Sequence, residues 1–139
     1  MLRLLKFLFA IFCVMPLPLS ADDYVSEGRA LYFQHCAVCH GQDARGGHII
    51  GDTAVPDLTR IADRRDSVWP MLEIMSIIDG YTKATEPRAD MPVVDALTQG
   101  PQVEFETGNG RPVRVPANLL ALVNYLESIQ LPRPDSYVP

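Results

Sequence analysis

Cys36, Cys39 and His40 fall in the pentapeptide Cys36-Ala37-Val38-Cys39-His40. Two thiols at this spacing can each form a thioether to one vinyl group of a haem. The histidine that follows is then held under the iron as its proximal ligand. C-x-x-C-H is the signature of c-type haem attachment. Two other chemistries draw on the same residue types. A C-x-x-C dithiol is expected after a strand in a βαβ unit, whereas a helical pattern precedes this one. A structural zinc needs four convergent ligands. His35, Cys36, Cys39 and His40 are nearly contiguous, and the chain has no second cysteine pair to close a tetrahedron.

The segments around the motif decide how it is held. Residues 22–35 have Tyr24, Leu31 and Tyr32 at helical spacing, with Asp23 or Ser26 as a cap and Glu27 in the first turn. The motif ends this helix. Residues 41–56 are rich in glycine and polar side chains and are expected to be a loop. Pro56-Asp57 opens a short helical stretch to about residue 63. Asp66 or Ser67 is expected to cap a helix that runs to Ile78 and stops at Asp79-Gly80. Residues 82–92, with Pro87 and Pro92, are irregular. Residues 103–106 and 113–115 alternate apolar and polar about Thr107-Gly108-Asn109-Gly110, which predicts a β-hairpin. A last helix over 117–130 carries Leu119, Leu122, Val123, Leu126 and Ile129 on one face.

The chain begins like an export signal. Arg3 and Lys6 precede an apolar run over residues 7–15, and Ser20-Ala21 supplies small residues for cleavage. The run is well short of the roughly 20 residues that cross a bilayer, so residues 1–21 are expected to be a cleaved signal peptide. A retained anchor facing the periplasm is the alternative. Residues 22–139 then form one small domain. The signal holds 2 of the 12 basic residues and none of the 17 acidic ones, so the mature charge is 10 − 17 = −7. Such a surface argues against nucleic acid and suits docking to a basic protein face. Of the 3 cysteines only Cys36 and Cys39 outlast cleavage, and thioethers to haem account for both.

Along its length the chain resembles the small single-haem class I cytochromes c. Gly28-Arg29-Ala30-Leu31-Tyr32-Phe33 leads into Cys36-Ala37-Val38-Cys39-His40-Gly41 as it does in that family. Pro56-Asp57-Leu58-Thr59, Met91-Pro92 and Leu122-Val123-Asn124-Tyr125-Leu126 follow in the family's order. The resemblance implies an all-α cytochrome c fold, three to five helices around one covalently bound haem c. A small β-hairpin insertion at about residues 99–115 is added to that fold.

The resemblance also implies a methionine as the second axial ligand. Met71 and Met75 lie four apart on a predicted helix and suit core packing. Met91 sits in irregular chain beside Pro92, where the family's Met-Pro pattern falls, and is the expected distal ligand. The same resemblance offers the Pro56 carbonyl as hydrogen-bond partner of His40. Trp69, Tyr81 and Arg60 are candidates for the haem propionates or the pocket wall. His35 should point away from the ring, and His48 could reach its edge. Gly28 and Tyr32 are expected to meet Leu122 and Tyr125 where the first and last helices cross. The function implied is one-electron transfer between redox proteins by a periplasmic monomer, not an enzyme. Membrane contact is then limited to membrane-bound partners or an uncleaved signal. The alternatives are a haem enzyme or gas or peroxide sensor with an open sixth position, and a haem subunit of a larger oxidoreductase.

Overall fold

In the computed structural model, residues 21–80 and 91–138 are described. The expected signal peptide, apart from its last residue, and Tyr81 lie outside them. Helix α1 spans Ala21–His35 with Asp22 and Asp23 in its first turn, where carboxylates oppose the helix dipole. A separate turn of helix, α2 (Ala37–His40), follows directly. Residues 41–56 are more ordered than a plain loop: β1 (Ile49–Ile50) and β2 (Thr53–Ala54) pair antiparallel within them. Two 3-10 turns come next, Leu58–Arg60 and Asp63–Arg65. The first is capped by Asp57, whose carboxylate accepts from the Thr59 N–H at 2.8 Å and its hydroxyl at 2.6 Å.

The middle helix starts later than its sequence pattern suggests. Asp66 and Ser67 do not cap it. They adopt left-handed φ values of 53° and 62° and turn the chain into a short strand, β3 (Val68–Pro70). Pro70 is the cause, because proline bars the residue before it from helical geometry. Helix α3 therefore runs only over Met71–Ile78. Beyond residue 90 a short α4 (Asp95–Thr98) precedes β4 (Gln102–Glu106) and β5 (Pro112–Pro116). These two form the expected antiparallel hairpin, with Val103 opposite Val115 and Phe105 opposite Val113. Helix α5 (Ala117–Ser128) follows at once. The tail adds a strand that the sequence pattern does not announce, β6 (Ser136–Val138), parallel to β3 with Trp69 opposite Tyr137.

The described chain is thus mostly helical but not all-α, since three two-stranded sheets accompany the helices. None of the helices among the described residues is long and apolar enough to cross a membrane.

Helices α1 and α5 pack most closely. A Cβ placed on Gly28 would lie 1.9 Å from the Ala121 carbonyl oxygen and 2.8 Å from the Tyr125 Cβ. Glycine is what lets the two backbones meet. Tyr32 fills the space one turn on, its ring centroid 5.5 Å from that of Tyr125, as expected from the sequence. Leu119, Leu122, Val123 and Leu126 of α5 join Met71, Ile74, Met75 and Ile78 of α3 in the core. Burial of each large apolar side chain contributes about 1.5–3 kcal/mol. Gln130, 2% exposed, ties α5 to the 3-10 segment. Its Nε2 donates to the carbonyls of Leu58 (2.8 Å) and Leu126 (2.7 Å), and its Oε1 accepts from the Ala62 N–H at 3.0 Å.

Candidate functional site

Between α1, α3, α5 and residues 50–65 lies a cavity of about 670 Å³, within the range of small-molecule and cofactor sites. Local helix geometry brings the pentapeptide to its wall. The Cys36 N–H donates to the Tyr32 carbonyl at 2.8 Å, and the His40 N–H to the Cys36 carbonyl at 2.8 Å. Positions 32, 36, 39 and 40 are three or four apart, so they share one face. All four line the cavity. His35 obeys the same spacing from Tyr32 and Cys39. It is half-buried on the wall as well, contrary to the expectation that it points away.

The chain after the motif closes beneath His40. The Gly46 N–H donates to the His40 carbonyl at 2.9 Å. A Cβ on Gly46 would lie 2.4 Å from the Val55 carbonyl oxygen and 2.7 Å from that of Pro56. This close approach carries Pro56 to the imidazole. Burial lowers the His40 pKa, the Pro56 carbonyl pulls it back upward, and the charge of nearby His48 lowers it further. The ring is held neutral as a result, the form that binds a metal. Its Nδ1 is buried and has the Pro56 carbonyl beside the ring, yet lacks a partner of full hydrogen-bond geometry among the described residues. His48 itself is exposed and off the wall.

Met91 and Pro92 stand on the wall too, as do Val94 and Leu97. Met71 and Met75, 2% and 4% exposed, are in the core and off the wall. The other candidates fall elsewhere. Trp69 is fully buried off the cavity, its Nε1 without a partner among the described residues. Arg60 turns outward and pairs with Asp63 at 2.6 Å. The cations on the wall are instead Arg64 and Arg65, which sequence reasoning passed over. Their signal in the sequence is only an adjacent pair of arginines, with no periodicity to show which way they face.

Cys36 and Cys39 are free thiols. Burial, and then the neighbouring Cys39, push the Cys36 thiol up to about 11. Among the described residues no three His, Cys, Asp or Glu side chains converge where they could hold a metal ion, so a zinc site finds no support. What the wall offers is two thiols, a neutral imidazole and a thioether around an apolar space. A flat, largely apolar group carrying its own iron fits that donor set: thiols to bind it covalently, nitrogen and soft sulfur for the metal.

No curated protein and no solved structure matches the chain. A family model does: the one described as Cytochrome c matches residues 25–130, from the first turns of α1 to the end of α5. The matched span contains the pentapeptide, the cavity and Met91, and the chain belongs to the cytochrome c family.

Proposed function

We propose that this protein is a one-electron carrier of the periplasm, holding one haem through Cys36 and Cys39 with His40 and Met91 as axial ligands. The observation that carries the reading is the convergence of these four residues on one apolar cavity in a chain of the cytochrome c family. Bound haem supplies a reversible ferric–ferrous couple.

The remaining work falls to the chain. Cys36, just before α2, and Cys39 within it would fix the group covalently. The Pro56 carbonyl sets the orientation of the His40 ring, as backbone partners of ligating histidines do. Ile74, Ile77, Ile78, Leu122 and Leu126 line the wall and exclude water, which favours the less charged state of the iron. If His40 and Met91 both hold the iron, an external ligand would have to displace one of them. The acidic surface, −7 after export by the same arithmetic of 10 − 17, suits brief docking to a basic face of a donor or acceptor.

The test is the optical spectrum of the purified holoprotein, ferric and ferrous, for wild type and Met91→Ala. The wild type should show a weak ferric band at the red end that the variant lacks, and its ferrous form should bind carbon monoxide slowly. Met91→Ala should bind carbon monoxide at once. Rapid binding by the wild type, with no such band, would remove Met91 as a ligand and favour a sensor or catalytic haem.

A further inference from the structure

Arg64 and Arg65 are the lysine or arginine side chains on the cavity wall among the described residues, and no carboxylate lines it. Arg64 is fixed by one bond, from its Nη1 to the Asp57 carbonyl at 2.9 Å. Arg65 is gripped on several sides. Its Nη1 donates to the Ile61 carbonyl at 3.3 Å and its Nε to the Glu73 Oε2 at 3.1 Å. Its Nη2 donates to the other carboxylate oxygen of Glu73, completing a forked pair. The Arg65 side chain is 29% exposed and that of Glu73 48%. Glu73 belongs to the first turn of α3 and is not on the wall. Arg65 therefore lines the cavity while its guanidinium is held by a carboxylate that is off the wall.

We propose that Glu73 is a positioning residue for the charge felt in the cavity: by holding Arg65 in a forked ion pair, it offsets part of that cation and sets the reduction potential of the bound group. The inference rests on the haem reading above. Reduction removes one positive charge from the iron, so a cation on the wall favours the ferrous state and an anion behind it opposes this. The wall is apolar and screens these charges less than water does. A haem also brings two carboxylates of its own. Without Glu73 the Arg65 fork is left to pair with one of them.

The experiment is a redox titration of the holoprotein against a mediator of fixed poise, for wild type, Glu73→Gln, Arg65→Gln and the double variant. Arg60→Gln is the control, because its ion pair with Asp63 is off the wall. Glu73→Gln should raise the ferrous-to-ferric ratio by about threefold or more, and Arg65→Gln should lower it by as much. Because Glu73 acts through Arg65 and offsets only part of its charge, the double variant should lie between Arg65→Gln and wild type, and Arg60→Gln should stay within experimental error of wild type. A tenfold change corresponds to about 59 mV for one electron. A pair that merely braces α3 would change thermal stability in the Glu73 and Arg65 variants and leave the ratio alone.

If Glu73→Gln and Arg65→Gln leave the ratio unchanged or move it the same way, the proposal is overturned. Should Arg65→Gln not fold, the half-exposed Glu73→Gln decides alone. Covalent haem with intact Met91 ligation but an unmoved ratio sinks only this inference. A wild type that takes up no haem overturns the carrier reading and this one together.

Discussion

Tyr32 links the packing of the first helix to the geometry of His40. Its ring is fully buried against Tyr125, and its hydroxyl donates to the Gly41 carbonyl at 2.6 Å, one residue past His40. Burial raises the pKa of the phenol, with smaller contributions from Cys36, Tyr125 and Asp43, so it stays protonated and keeps donating. Tyr32→Phe keeps the ring and leaves the Gly41 carbonyl without this donor. The expected cost is about 0.5–1.5 kcal/mol, the net worth of one hydrogen bond, since the Gly41 carbonyl still accepts from the Ala44 N–H at 3.2 Å. Urea denaturation of the holoprotein measures it, and an unchanged midpoint would mean that water replaces the hydroxyl. At this scale the sequence is most legible where chemistry needs fixed spacing. Cys36, Cys39 and His40 are recognisable because two vinyl groups and one iron demand that pattern, and one helical turn delivers it to the cavity. Arg64 and Arg65 carry no such constraint. Which arginine faces inward depends on a 3-10 turn and on a carboxylate eight positions away. His35 reaches the wall rather than pointing away because, though it adjoins Cys36, it lies three residues after Tyr32 and four before Cys39, on the same helical face.

The crossing of α1 and α5 is where elements set the cavity's shape. At Gly28 the two backbones approach closely, and Gly28→Ala puts opposing effects on one residue. Alanine should favour the helix by about 1 kcal/mol. Its methyl would meet the Ala121 carbonyl oxygen at 1.9 Å, a backbone atom that cannot rotate away. Forcing the helices apart costs about 3 kcal/mol or more, so the clash outweighs the propensity gain. A net loss of at least about 2 kcal/mol is expected in denaturant titrations, and a neutral variant would show that the helices can slide. The helices and the hairpin were readable because periodicity and turn residues are local signals. The hairpin appears where alternation about Gly108 and Gly110 puts it. The late start of α3 is legible only if Pro70 is given priority over the apolar pattern before it. Strand β6 is not legible at all. It is three residues long and entirely exposed, and it exists because β3 offers it backbone partners.

Over the whole molecule, the tail from Leu131 to Val138 is strapped to the middle of the chain. The Leu131 N–H donates to the Thr59 carbonyl at 2.8 Å, and the Asp135 N–H to the Ser67 carbonyl at 2.9 Å. Under this strap, Val25 of α1 and Asn124, Glu127 and Ser128 of α5 meet Arg133, Asp135 and Tyr137 in a second, open groove. Burial raises the Glu127 pKa above its ordinary value of 4.5. It also raises that of Tyr137, with Glu127 adding to the effect. A carboxyl whose folded pKa lies above its unfolded one favours folding only while protonated. Its contribution is full below the unfolded value and is lost as pH rises through the folded value. Ionised Glu127 is therefore a cost to the docked tail at neutral pH, on a surface that already carries excess negative charge. Glu127→Gln mimics the protonated side chain at every pH. The melting temperatures of wild type and variant should coincide near pH 4 and diverge above about pH 5, with the variant higher at pH 7. Arg133 is the cation of the same groove, and a divergence of opposite sign would mean that it compensates Glu127 once the carboxylate is charged. The comparison reads the strap directly, because Glu127 lies far from the pentapeptide in sequence and is absent from the wall of the main cavity.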